Sequence, residues 1–114
     1  MTDAASAYGF TVEQAKVTRY LLNVAHAEGG SKAKYLLRFG FTPDDPQPLV
    51  VALVRHAIAN FPTGRRVQPP KGLPRLVFEG PSEAPDGRRM HLRTVWEVTA
   101  PTELRFITAV PLTR

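Results

Sequence analysis

Four side chains in this chain of 114 residues have the types that phosphodiester chemistry needs when no metal takes part. His26 titrates near neutral pH and can take or give a proton. Lys32, six positions on, can hold the charge that builds on a phosphate, and Thr94 and Thr108 add hydroxyls that can position its oxygens. RNA cleavage asks for no more: a base takes the 2′-OH proton, a cation holds the phosphate, and an acid frees the 5′ oxygen. The stretch HAEGGSKAK, residues 26–34, sets the histidine, two glycines, a serine and two lysines at a loop–helix junction. A helix N-terminus presents unpaired N–H groups that bind anions. Lys32 and Lys34 fall on the first turn, where the helix dipole favours acids. A phosphate nearby would account for them, and so would plain exposure.

The C-terminal stretch DGRRMHLRTVWEVTAPTELRFITAVP adds the rest of a candidate surface. Two strand-like runs, Met90 to Val98 and Leu104 to Val110, carry more basic and hydroxyl groups than a hairpin requires. Arg88, Arg93 and Arg105 are candidate phosphate binders, and Trp96 a platform for a base. His91 is a second candidate base. His56 falls late on an apolar helix and is read as a satisfied core histidine.

Composition removes several other classes. With no cysteine there is no disulfide framework, thiolate nucleophile or thiolate metal site. The three histidines lie far apart, so no metal is expected, and no cofactor motif is present. No signal peptide and no run of roughly 20 apolar residues occur, which predicts a cytoplasmic protein away from membranes. The net charge is +5, and nine of the fifteen Lys/Arg fall in residues 61–114. That excess suits a polyanion, although solubility alone accepts such a charge.

The elements that must position these groups follow from periodicity and capping. Thr11 to Gln14 has the form of a capping box and opens a helix over about 12–22. Ser31 caps a second helix, Lys32 to Phe39, stopped by Gly40. Asp45-Pro46 starts a third, running to about Ala59, apolar nearly all round and read as the buried central helix. A short edge strand near Arg66 to Gln68, a strand over Leu73 to Glu79, a loop over Pro81 to Gly87 and the two C-terminal runs form a meander. Alternation puts Met90, Leu92, Thr94 and Trp96 on the helix side, together with Leu104, Phe106, Thr108 and Val110. The expected architecture is one α+β domain over residues 1–114, with a helical part at 11–60 and strands at 64–111. Three N-terminal helices would pack on one face of a three- to four-stranded antiparallel sheet.

Residues 16–40 (KVTRYLLNVAHAEGGSKAKYLLRFG) and 85–111 carry a resemblance to a small prokaryotic domain family. Its pattern runs K-x-x-x-Y-L-L-N, H-x-x-G, K-A, D-G-R, T-V-W and R-x-x-T-A-x-P. Members often stand beside a second small gene, as toxin–antitoxin pairs do. The order of helices and then meander also resembles the Barnase–EndoU–Colicin–RelE class of metal-independent ribonucleases. In colicin-D-type members a Lys and a His face a Ser/Thr-x-Trp on a strand. Lys32 and His26 match the first pair by type, Thr94-Val95-Trp96 matches the second, and Thr108 resembles a last-strand hydroxyl. His26 precedes Lys32 in a loop, and Thr stands where Ser is usual.

The resemblance implies a metal-independent endoribonuclease, the bacterial toxin of a toxin–antitoxin-like pair. His26, Lys32, Thr94 and Thr108 would be catalytic, and Arg88, Arg93, Trp96 and Arg105 would bind RNA. A small acidic antitoxin-like protein would cover the basic cleft. The alternative is a non-enzymatic binding module for RNA or a protein partner, including a phage-encoded adaptor or inhibitor.

Overall fold

A computed structural model describes residues 4–17, 22, 25 and 30–112, with backbone alone at residues 4 and 30–32. Its frame is one five-stranded mixed sheet: β1 (Gly9–Thr11), β2 (Arg65–Val67), β3 (Arg75–Glu83), β4 (Arg89–Ala100) and β5 (Glu103–Pro111), in the order β1-β5-β4-β3-β2. All pairings are antiparallel except β1 on β5, which is parallel. The helices are α1 (Gln14–Lys16), α2 (Gly30–Arg38) and α3 (Gln47–Ala59).

The expected three helices on a three- to four-stranded antiparallel sheet are therefore corrected. The Thr11 expected to cap the first helix instead ends β1, pairing with Arg105. Only a single turn of that helix is seen, and residues 18–21, 23 and 24 lie outside the described residues. The sheet gains a parallel strand on one edge, so it is mixed. Among the described residues α3 is the longest helix, at 13 residues.

α3 starts where the sequence indicates. The Asp45 carboxylate accepts from the Gln47 N–H at 3.4 Å, and Pro48 sits where no intrahelical donor is needed. It is not wholly buried, because Val51 and Ile58 stay about two-fifths exposed. α2 ends at Gly40, whose φ of +98° suits a residue without Cβ.

β3 runs through Pro81, where a loop was expected. Thr63 Oγ1 bonds both the N–H and the C=O of Glu79, and Asn60 Nδ2 donates to the Pro81 carbonyl. Those groups face the outer edge, so the N–H that Pro81 lacks is not taken from the ladder to β4. The two side chains also cap the stretch of β3 that the short β2 leaves uncovered. Gly80 permits the close approach, since a Cβ there would lie 1.8 Å from Asn60 Oδ1.

The core lies between the helices and one face of the sheet, around Trp96, Phe78, Phe106, Met90, Leu92, Leu49 and Leu53. Trp96 meets Phe10 and Phe106 edge-on, with centroids 5.4 Å apart in each case. Alternation assigns the β4 faces as expected. On β5 a bulge changes the phase: Val95 pairs with Thr108 but Trp96 pairs with Phe106, leaving Ile107 as the extra residue. Ala109, opposite Thr94, is therefore buried, and Thr108 shares the outer face with Val95.

Candidate functional site

The expected catalytic group divides into three places. His26 lies outside the described residues, and for Lys32 only the backbone is described, at the start of α2. Thr94 and Thr108 do not share a face, because the β5 bulge separates them. Thr94 is sealed in the core at 0% exposure, and Thr108 is half-buried on the outer face.

What Thr94 does instead is explicit in its hydrogen bonds. Trp96 Nε1–H donates to Thr94 Oγ1 at 3.0 Å. Thr94 Oγ1 lies 3.0 Å from His56 Nδ1, and His56 Nε2 lies 3.0 Å and 3.2 Å from the carbonyls of Leu92 and Gly80. Carbonyls only accept, so Nε2 carries the proton. Nδ1 of the neutral ring is then an acceptor, and the Thr94 hydroxyl donates to it. One chain of donors runs from the indole through the hydroxyl and the imidazole to the two carbonyls. Burial holds His56 below its ordinary pKa, while the bonds to the Leu92 and Gly80 carbonyls pull the other way. Every polar atom of the three side chains is used, so this group organises the core and offers no free base. Trp96, at 0% exposure, presents no face on which a base could stack.

The expected phosphate-binding arginines are already paired. Arg88 donates to Asp86 at 2.8 Å and to the Arg38 carbonyl at 2.6 Å, and its guanidinium lies 4.5 Å from the centre of the Phe39 ring. It ties the β3–β4 turn to the end of α2, and its bonds hold the Asp86 carboxyl below its usual range. Arg93 pairs with Glu79 and lowers that carboxyl likewise. Arg105 pairs with Glu97 at 2.7 Å and reaches Glu13 at 3.7 Å. Together with Arg65–Glu79 at 3.5 Å, the Arg93 and Arg105 pairs form an ionic ladder across the outer face.

Three features that the sequence reading passed over stand out. Between Asp45 and Glu79 lie 33 residues, 46–78, with no carboxylate and five cations: Arg55, Arg65, Arg66, Lys71 and Arg75. The ten cations and ten acids elsewhere cancel, so this stretch carries the whole net charge of +5. Four of the five gather at the β2 edge: Arg65 and Arg66 on β2, Lys71 in the following loop, and Arg75 in register with Val67. Arg75 also lies in register with Glu97, but that carboxylate is held by Arg105. Arg75 forms no ion pair among the described residues, and its Nε is buried without a hydrogen-bond partner there. The carboxylate-free stretch was readable from the sequence, whereas the orphaned Arg75 required the register.

The second feature is a groove of about 870 Å³ between α3 and the β3–β4 turn, walled by Val51, Ala52, Pro48, Pro81 and Pro85 and edged by Arg55 and Arg89. The third is Lys16, whose Nζ donates to the Ile107 carbonyl at 3.1 Å, at the bulge next to Thr108. No cluster of three or more potential metal ligands occurs among the described residues, and no helix there is long and apolar enough to cross a membrane.

The profile of one protein family, described as Domain of unknown function (DUF6883), matches residues 5–113, nearly the entire sequence. The chain belongs to this family. No curated protein and no solved structure matches it. The match to the DUF6883 family spans the sheet, α3 and both candidate surfaces, so each is part of the domain.

Proposed function

We propose that this DUF6883 domain binds RNA through the cations at its β2 edge. The observation that carries the reading is the concentration of the whole net charge in residues 46–78. Phosphate backbones bind such clusters with release of counterions. Arg66, Lys71 and Arg75 have no acidic partner among the described residues, in contrast to Arg88, Arg93 and Arg105. Val67 and Leu73, 39% and 45% exposed, stand among the cations and give bases an apolar surface to lie against.

The test is binding of a fluorescent single-stranded 20-mer RNA across a salt series. The Arg66→Ala/Lys71→Ala/Arg75→Ala triple variant lowers affinity and flattens the salt slope by roughly 2, at about 0.7 per lost contact with single strands. Salt-independent binding, or a triple variant that binds as well as wild type, would overturn the reading.

A second, stronger form of the reading adds cleavage: a metal-independent endoribonuclease acting in the cytoplasm as a toxin with a small acidic antitoxin. One arrangement favours it. Lys16 is tied to the Ile107 carbonyl at the β5 bulge, which sets a cation beside the Thr108 hydroxyl. The check is labelled RNA incubated with EDTA. Wild type yields new 5′ ends, and His26→Ala and Lys32→Ala do not while keeping the wild-type melting temperature. Uncleaved RNA with wild type returns the protein to a binding role alone.

A further inference from the structure

We infer that the groove between α3 and the β3–β4 turn is a docking site for a segment of a partner protein with an apolar ridge flanked by carboxylates. This surface is distinct from the β2 edge, and the inference does not depend on RNA binding.

The apolar part follows from α3. A helix covering one face of a sheet needs one apolar stripe, and α3 has two. Leu49, Leu53, His56 and Ala57 face the core. Val51 (38% exposed) and Ala52 face the groove, opposite Pro81 and Pro85. Prolines on the far wall carry no N–H, so that wall gives an apolar side chain contact without asking for a hydrogen bond. A cavity of about 870 Å³ with such walls exceeds what one side chain fills and suits several along a ridge.

The charge of the occupant follows from which rim groups are already used. Four charged residues line the groove: Arg55, Arg89, Asp45 and Glu83. The Asp45 carboxylate is engaged by the Gln47 N–H at the start of α3. Glu83 is in register with Arg89 across β3 and β4 but forms no salt bridge with it. Arg55 and Arg89, on opposite walls, have no ion-pair partner among the described residues, and Arg55 belongs to the carboxylate-free stretch. A segment with apolar side chains between the walls and acids toward Arg55 and Arg89 satisfies both features. A basic segment would meet two free cations and a single free carboxylate, that of Glu83.

The experiment uses the full chain to select from a random 12-residue phage-displayed peptide library, followed by fluorescence polarisation of the selected peptides. The expected result is enrichment of sequences with two or three apolar residues flanked by Asp or Glu. Val51→Glu at the wall weakens their binding at least tenfold. Arg55→Glu/Arg89→Glu does the same, and exchanging the acids of the peptide for Lys restores binding to that double variant. Both variants keep the wild-type melting temperature, because Val51 and the two arginines lie on the surface. Neutral or basic consensus sequences, or binding indifferent to both variants, would overturn the inference. So would a concentration-dependent dimer that Val51→Glu dissociates, since a second copy would then be the occupant. Loss of RNA binding in Val51→Glu would assign the groove to nucleic acid and overturn it as well.

Discussion

The imidazole of His56 and the hydroxyl of Thr94, 38 positions apart in the chain, meet at 3.0 Å in the core, and each fixes the role of the other. The two carbonyls at Nε2 settle the tautomer, the tautomer makes Nδ1 an acceptor, and the hydroxyl is then free to accept from Trp96. Thr94→Val keeps the shape and removes the link, leaving the indole N–H and Nδ1 buried without partners. A buried unsatisfied group costs about 1–3 kcal/mol. The expected loss in a urea titration is about 2–4 kcal/mol in total, since relaxation offsets part of two such orphans. Thr94→Ser keeps the hydroxyl and loses only a methyl, about 1 kcal/mol. Equal loss in the two variants would show that packing, and not the relay, holds this position.

The same relay sets a dependence on pH. Burial lowers the His56 pKa in the folded state, so the unfolded chain binds its proton more readily. The contribution is complete above about pH 6.5, the unfolded value, and is lost as pH falls from there toward the folded pKa. Glu79 and Asp86 have depressed folded values too, but their stabilisation is lost at lower pH, as it falls through the carboxylate range. The urea midpoint of wild type therefore falls between pH 7 and pH 5.5, and that of His56→Gln, less stable throughout, stays level over the same interval. A wild-type midpoint flat across this window would mean that the ring takes its proton without cost.

Much of this was legible in the sequence and some was not, for physical reasons. Asp45-Pro46 and Gly40 marked helix ends because capping and positive φ are local requirements, and the apolar alternation of β4 read correctly. Alternation put the Thr94 hydroxyl on the helix side, where a buried polar group requires a partner. The partner was invisible, because its identity depends on how α3 lies across β3 and β4. The β5 bulge at Ile107 leaves no compositional mark, so the placement of Thr108 failed with it. β1 is three residues long and pairs parallel to a distant strand, too short to show a period. Pro81 looked like a breaker because the sequence does not say which way its missing N–H faces.

Gly80 and Asn60 form a tight pair that a double-mutant cycle can isolate. A Cβ at position 80 would lie 1.8 Å from Asn60 Oδ1. Gly80→Ala forces Asn60 off the β3 edge, costing about 1–3 kcal/mol. Asn60→Ala removes the caps on the His56 and Pro81 carbonyls, about 1–2 kcal/mol. Because the clash vanishes with the Asn side chain, the double variant is more stable than the sum of the single losses predicts. Simple additivity in urea unfolding would mean that the alanine methyl is accommodated elsewhere.

Glu97 lies between two arginines in the strand register, Arg75 on β3 and Arg105 on β5, and holds only Arg105, at 2.7 Å. Its choice leaves Arg75 free, so the ladder on the outer face governs the charge available at the β2 edge. Removing Arg105 releases the carboxylate toward Arg75. If Arg75 is one of the cations that hold RNA, Arg105→Ala weakens RNA binding although Arg105 itself is already paired in the free protein. Arg105→Ala, Arg75→Ala and the double variant then bind RNA with similar affinity, each a few-fold weaker than wild type, because all three remove the same free cation. Glu97→Gln with Arg105→Ala restores binding by taking away the competing carboxylate. Affinities measured at one fixed salt concentration decide it. Additive losses from Arg75→Ala and Arg105→Ala would place each arginine in its own contact with RNA and exclude the exchange of partners at Glu97.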